Sequence, residues 1–119
     1  TIIHNNKTVT PEMVSELKKG LKITFILDTG LCENAIALAE NSDLLICEAT
    51  YSSELGEKAE NYKHMTAKDA ALLANNANVK KLIITHISQR YKTPGEVLDD
   101  AKNVYENVEV AHDFMKVKL

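Results

Sequence analysis

Four polar side chains stand where apolar runs give out. Asp28 follows "TFIL", Glu48 follows "LLIC", His86 follows "LIIT", and His64 precedes "MTAKDAALLA". A carboxylate grouped with imidazoles is a donor set that suits zinc or manganese. Two such metals sharing a carboxylate oxygen clamp the attacking and leaving oxygens of a phosphodiester. Arg90, just past His86, adds a planar guanidinium that pairs bidentately with phosphate. Taken singly, each residue has a plainer reading. Asp28 can cap a helix that begins near Leu31. His64 can be a solvated loop residue, and a lone histidine closing a strand is more often a hydrogen-bonded core residue than a ligand. Glu48 is harder to dismiss, because a carboxylate at the end of a buried strand is costly unless paired. His4 reads as a surface residue, and His112 in "AHDF" stays open between surface and site edge.

The case for a site depends on the elements that carry these residues. Residues 1–9 read as a hairpin turning at Asn5-Asn6. Thr10-Pro11-Glu12 reads as the start of a helix that Gly20 closes. Residues 21–27 (LKITFIL) are β-branched and apolar, a strand ending at Asp28. A helix over 31–40 and a strand over 43–47 follow, then a polar stretch, 52–63, that reads as a loop. Thr66-x-x-Asp69 is a capping box opening a helix over 66–76. Residues 81–85 form the third strand. Thr93-Pro94-Gly95-Glu96 is a second capping box, leading a helix to about Tyr105, and short strands over 107–111 and 115–119 close the chain. Strands alternating with short helices imply βαβ crossovers and a mainly parallel sheet. In such sheets the reactive groups gather beyond the carboxyl ends of the strands, where Asp28, Glu48 and His86 all fall.

Composition narrows the function classes. A chain of 119 residues with 45% apolar content reads as one unit with a real core. Its longest apolar runs are a handful of residues, too short for a spanning helix, and no signal-peptide pattern marks it for export, so a cytoplasmic location is expected. A net charge of −3 leaves no basic footprint for gripping nucleic acid, and the absence of Trp leaves few stacking platforms. Cys32 and Cys47 lack a CxxC spacing and read as small buried residues.

Three blocks in order, "FILDTGLCENAIALAENSDLLICEATY", "KHMTAKDAALLA" and "LIITHISQRY", resemble the C-terminal half of the ribonuclease Z family of tRNA 3′-processing endonucleases. The likeness runs from the hairpin and "VTPEMV" to "EVAHDFM". It implies an α/β fold, the C-terminal half of a metallo-β-lactamase αββα sandwich, with helices on one face of a mainly parallel sheet. By that resemblance Asp28 bridges two zinc ions and His86 is the last histidine ligand of one of them. Glu48 orients His64, which helps the leaving 3′ oxygen depart, and Arg90 meets the scissile phosphate with Ser88 beside it. A carboxylate behind an imidazole fixes its tautomer, which fits a proton donor. The implied cofactor is Zn²⁺, with Mn²⁺ also suited, and the implied substrate is precursor tRNA, cut by a homodimer.

The family's His-x-His-x-Asp-His run, which supplies most zinc ligands, occurs nowhere in these residues, and neither does its tRNA-holding arm. With Asp28 and His86 the chain offers two strong ligands where a catalytic zinc normally takes three from protein. The expectation is therefore a portion or subunit of a larger enzyme, or a chain that self-associates over an uncovered sheet face, with little or no hydrolysis by itself. The alternatives are another metallo-β-lactamase-fold phosphodiesterase and a noncatalytic scaffold keeping the half-fold.

Overall fold

The computed structural model describes all 119 residues. Two strands, β1 (Ile2–His4) and β2 (Lys7–Val9), form the expected antiparallel hairpin. Asn5 and Asn6 both sit at positive φ, 47° and 60°, the conformation that a tight hairpin turn of matching twist requires. The helix expected over 10–20 ends after one turn, α1 (Pro11–Val14). Ser15 leaves the helical conformation and its hydroxyl donates to the Pro11 carbonyl at 2.6 Å, the local bond by which serine competes with a helix. Every residue from 11 to 21 is exposed, so no packing supports a longer helix, and short isolated helices are marginal in water.

The body of the molecule is a four-stranded, all-parallel sheet in the order β3 (Ile23–Ile26), β4 (Leu44–Glu48), β5 (Leu82–Thr85), β6 (Val108–Val110). The last of these is the strand expected over 107–111, but residues 115–119 form none. Helices α2 (Glu33–Ala39), α4 (Ala67–Asn76) and α5 (Gly95–Lys102) connect the strands as crossovers. Between β4 and α4 the polar stretch is not a plain loop: it makes a 3-10 turn, Ser53–Leu55, and a short helix, α3 (Gly56–Asn61). Asp100 of α5 holds this segment, accepting from the Ser53 backbone N–H at 3.0 Å and from its hydroxyl at 2.6 Å. Only Ala59 of α3 is buried, so the segment carries almost no apolar signal in its sequence.

The capping box at α4 forms as its sequence dictates: Thr66 Oγ1 accepts from the Asp69 N–H and the Asp69 carboxylate accepts from the Thr66 N–H, both at 3.1 Å. The second box does not form. Pro94 occupies the cap position of α5 in a helical conformation with no side-chain cap bond, leaving Thr93 one residue too early.

The main core cluster lies on one face. Ile26, Leu45, Cys47, Leu82, Ile84 and Val108 meet Ala35 and Ala39 of α2, Ala70, Ala71, Leu73 and Ala74 of α4, and Val97 and Ala101 of α5. The alanines let α4 lie close on the two central strands, and that helix buries more residues than α2 or α5. On the other face Ile23 is 50% and Phe25 61% exposed. The hairpin and the segment after it project from this body, which gives extents of 72 × 29 × 21 Å. The radius of gyration is 19.8 Å, against about 13–14 Å for a compact chain of this length. No helix is long and apolar enough to cross a membrane.

The two faces differ in what a truncation should cost. Leu45→Ala, which empties a fully buried position, is expected to lower stability by about 2–5 kcal/mol in urea denaturation. Phe25→Ala on the open face should cost less than about 1 kcal/mol. Equal losses would mean that the open face is packed in solution.

Candidate metal centre

The parallel register brings the ends of β3, β4 and β5 level. Ile26 pairs with Cys47 and Glu48 with Thr85, so Asp28, Glu48 and His86 lie along one edge, with Glu48 on the central strand. Asp28 and His86 both adopt left-handed backbone, φ 55° and 57°, in the step after their strands end. Lys63, which precedes His64 at the end of α3, does the same at φ 59°. Non-glycine residues in this region are strained by about 1–2 kcal/mol each, though Asp and His tolerate it better than most. Three such turns at one edge swing the side chains inward instead of continuing the strands or helix, the kind of local strain that clusters at functional sites.

Glu48 is completely buried and its carboxylate accepts three hydrogen bonds. The Thr29 backbone N–H donates at 2.6 Å, the Thr50 hydroxyl at 2.9 Å and His64 Nδ1 at 2.7 Å. Because Thr50 gives its proton to Glu48, its oxygen is left to accept from His86 Nδ1, 3.2 Å away. His86 Nδ1 also lies 3.7 Å from the same Glu48 oxygen. Glu48 therefore orients both imidazoles, one directly and one through Thr50, and leaves both Nε2 atoms free. The two ring centroids are 5.4 Å apart. Asp28, His64 and His86 each offer a ligand atom, and these atoms all lie within 4.8 Å of one another. The donor chemistry, one carboxylate and two imidazoles backed by a hydrogen-bonded carboxylate, fits zinc or manganese.

Of the six residues singled out in the sequence, four thus converge. Arg90 and Ser88 do not join the metal-ligand group. The Arg90 guanidinium lies over the Tyr51 ring, 5.8 Å from its centroid, and Tyr51 meets His64 edge-on at 6.5 Å, so Arg90 reaches the site's flank through an aromatic neighbour. Ser88 Oγ accepts from the Arg90 N–H at 3.4 Å, and the Ser88 N–H donates to the Thr50 carbonyl, which anchors the turn after β5. His4 and His112 are exposed and outside the group. Sequence reasoning missed Thr50, Tyr51 and Lys58, whose ammonium lies 5.6 Å from the centroid of the Tyr51 ring. The signal for the first two was their adjacency to Glu48 in "CEATY". A cleft of about 750 Å³ opens on one side of His64, bordered by Thr29, Cys32, Lys63, Lys68 and Asp69. Cys32, expected to be buried, is exposed at this cleft because it caps α2 instead of entering the core.

No family model matches the chain. Over its whole length it is 41% identical to a ribonuclease Z of Archaeoglobus fulgidus. It is 41% identical over 97% of its length to one of Protochlamydia amoebophila, and 42% over 99% to one of Clostridioides difficile. The chain spans only about two fifths of these relatives, 40%, 39% and 39% of their lengths. Among solved structures, a long form RNase Z from yeast superposes with a TM-score of 0.58 at 36% identity, over 68% of this chain and 11% of that one. The short form of human tRNase Z gives 0.54 at 34%, over 70% and 27%. A metallo-β-lactamase fold protein from Bacillus subtilis gives 0.68 at 24%, over 75% and 36%, a likeness of fold alone.

The two cysteines separate chemically beside this site. Burial pushes the Cys47 thiol up to about 12, with the neighbouring Glu48 charge adding to the effect. Alkylation of the native chain at neutral pH should modify one thiol, Cys32, and peptide mass mapping should find Cys47 untouched until the chain is unfolded. Equal labelling of both would mean that the core around Cys47 is open.

Proposed function

This chain resembles the C-terminal part of ribonuclease Z along its whole length and has the corresponding half of the metallo-β-lactamase fold; on that premise, we propose that its strand-end cluster is one side of a phosphodiester-cleaving centre. The complete centre is a zinc-dependent endoribonuclease that removes 3′ trailers from precursor tRNA and leaves a 3′ hydroxyl. The observation that carries this reading is the Glu48–His64 pair at 2.7 Å, set beside Asp28 and His86 at the carboxyl edge of the sheet.

Asp28 and His86 would hold metal, with Mn²⁺ an acceptable substitute for Zn²⁺ by donor type. The metal supplies charge neutralisation on the phosphate oxygens and an acidified water. His64, held through Nδ1 by Glu48, can take a second proton on Nε2 and, in that imidazolium form, give it to the departing 3′ oxygen, a contribution worth about 10²–10⁴-fold. Arg90 flanks the site on the Tyr51 ring, where its fork can pair with the phosphate as charge builds there. Ser88 supports Arg90 through the backbone. The remaining metal ligands and most of the tRNA grip come from polypeptide beyond these residues, which also covers Ile23 and Phe25. A cytoplasmic homodimer is the assembly this reading implies, and the chain alone is expected to hydrolyse little or nothing.

In an enzyme completed by that second portion, Asp28→Ala should remove metal and precursor cleavage together. His64→Ala should retain the metal and slow cleavage by about 10²-fold or more. Zinc analysis paired with single-turnover cleavage of a precursor tRNA reads both. Full zinc in the Asp28 variant, or an unchanged rate in the His64 variant, would overturn the assignment.

A further inference from the structure

Tyr51 carries two cations, and neither has a counterion. The Lys58 ammonium lies 5.6 Å and the Arg90 guanidinium carbon 5.8 Å from the centre of its ring. The ion pairs of the molecule join other groups: His64 and His86 to Glu48, Lys80 to Asp43, and Lys81 to Glu109. Glu54 borders the surface at both cations and Glu57 that at Lys58, yet no carboxylate pairs with either of them. Two like charges gathered on one ring repel each other, and the arrangement is completed by an anion that arrives from outside.

A second aromatic ring stands four residues beyond Lys58. Tyr62 closes α3, and its backbone N–H donates to the Lys58 carbonyl at 3.1 Å, so the two side chains share one face of the helix. With Asn61 they border a shallow groove of about 390 Å³. Tyr62 is 65% exposed and takes no part in the core. Only Lys63 separates it from His64, so the groove adjoins the strand-end site. An open aromatic face beside an unpaired cation is the combination that holds single-stranded nucleic acid: the ring stacks a base while the charge takes a phosphate.

We infer that this groove seats the nucleotide next to the cut, with Lys58 on its phosphate and Tyr62 stacked on its base, while Arg90, on the same Tyr51 ring, takes the scissile phosphate. The choice of RNA as the strand rests on the nuclease reading above; the unpaired cations and the open ring do not. Because both cations sit on one ring, they meet successive phosphates of a single strand. A duplex does not fit the groove in the same way, since its bases are stacked on one another and offer Tyr62 no free face. Lys58 and Tyr62 are positioning residues in this account: they hold the strand in register while His64 and Arg90 meet the reacting phosphodiester. One phosphate and one base make a weak grip, which fits a chain whose net charge is −3.

Titration of the 119-residue chain with single-stranded tetrauridylate in the presence of EDTA, followed by NMR of the tyrosine rings and lysine side chains, tests this. Saturable shifts are expected at Tyr51, Lys58 and Tyr62. Tyr62→Ala and Lys58→Gln should each weaken binding by about fivefold or more, whereas Tyr62→Phe and Lys58→Arg should keep it, because stacking needs only the ring and the phosphate only the charge. Lys58→Gln should also lower the slope of log affinity against log salt by about 0.7, the share of one phosphate contact on a single strand. A short blunt RNA duplex should leave the Tyr62 ring unshifted. Both positions are open to solvent, and circular dichroism checks that each variant folds. No shift at Tyr62, undiminished binding by either Tyr62→Ala or Lys58→Gln, or an equal Tyr62 shift with the duplex would overturn the inference. The titration contains no metal and reads no cleavage, so its failure leaves the nuclease reading standing, and failure of cleavage in the completed enzyme leaves the strand-binding result intact.

Discussion

The candidate site depends on one buried carboxylate. Glu48 ends the central strand of the sheet with no exposure to solvent, a placement that costs several kcal/mol unless the oxygens are satisfied. Three donors satisfy them, and each comes from a different segment: Thr29 from the turn after β3, Thr50 from the turn after β4, His64 from the end of α3. No buried side-chain polar atom in the molecule is left without a partner. The carboxylate therefore ties together the loops that carry the reactive groups. Removing it would strand an amide, a hydroxyl and an imidazole at once, which is why a glutamate here is both a structural requirement and the determinant of histidine tautomer.

The parallel sheet does the coarse positioning. Level strand ends bring Asp28, Glu48 and His86 to one edge, and left-handed turns at Asp28, Lys63 and His86 then redirect the chain so that the side chains converge. The helices contribute by packing the main core cluster onto one face, mostly through small alanines. This leaves Ile23 and Phe25 exposed on the opposite face and the first 21 residues extended away from the body. An apolar surface of that kind fits a half-fold whose relatives are more than twice as long.

Much of this arrangement was legible in the residues. The alternation of β-branched runs with alanine-rich helical segments identified the parallel sheet, and the Thr66–Asp69 box located α4 correctly because a capping box is a local interaction between residues three apart. The places where the letters misled were those where distant or weak contacts decide. Thr10 and Pro11 as a start and Gly20 as a stop predicted a long first helix, but with no surface to pack against it stops after Val14. Residues 56–61 look like loop and are helical, because Asp100, far along the chain, anchors the preceding turn. Thr93 was placed in a box that Pro94 displaces by one residue. At the site itself, the apolar-run endings pointed to Asp28, Glu48 and His86, whereas the link from His86 through Thr50 to Glu48 depends on hydroxyl geometry that no spacing rule encodes.

The central claim is that Glu48 fixes both rings with the proton on Nδ1 and the lone pair on Nε2. A long-range ¹H–¹⁵N correlation spectrum of the imidazole rings in the metal-free chain, recorded where the rings are neutral, reads the tautomer of each histidine directly. The account predicts the Nδ1–H form for His64 and His86, lost at His64 in a Glu48→Ala variant that still folds. An Nε2–H form at His64 in the unaltered chain would contradict it.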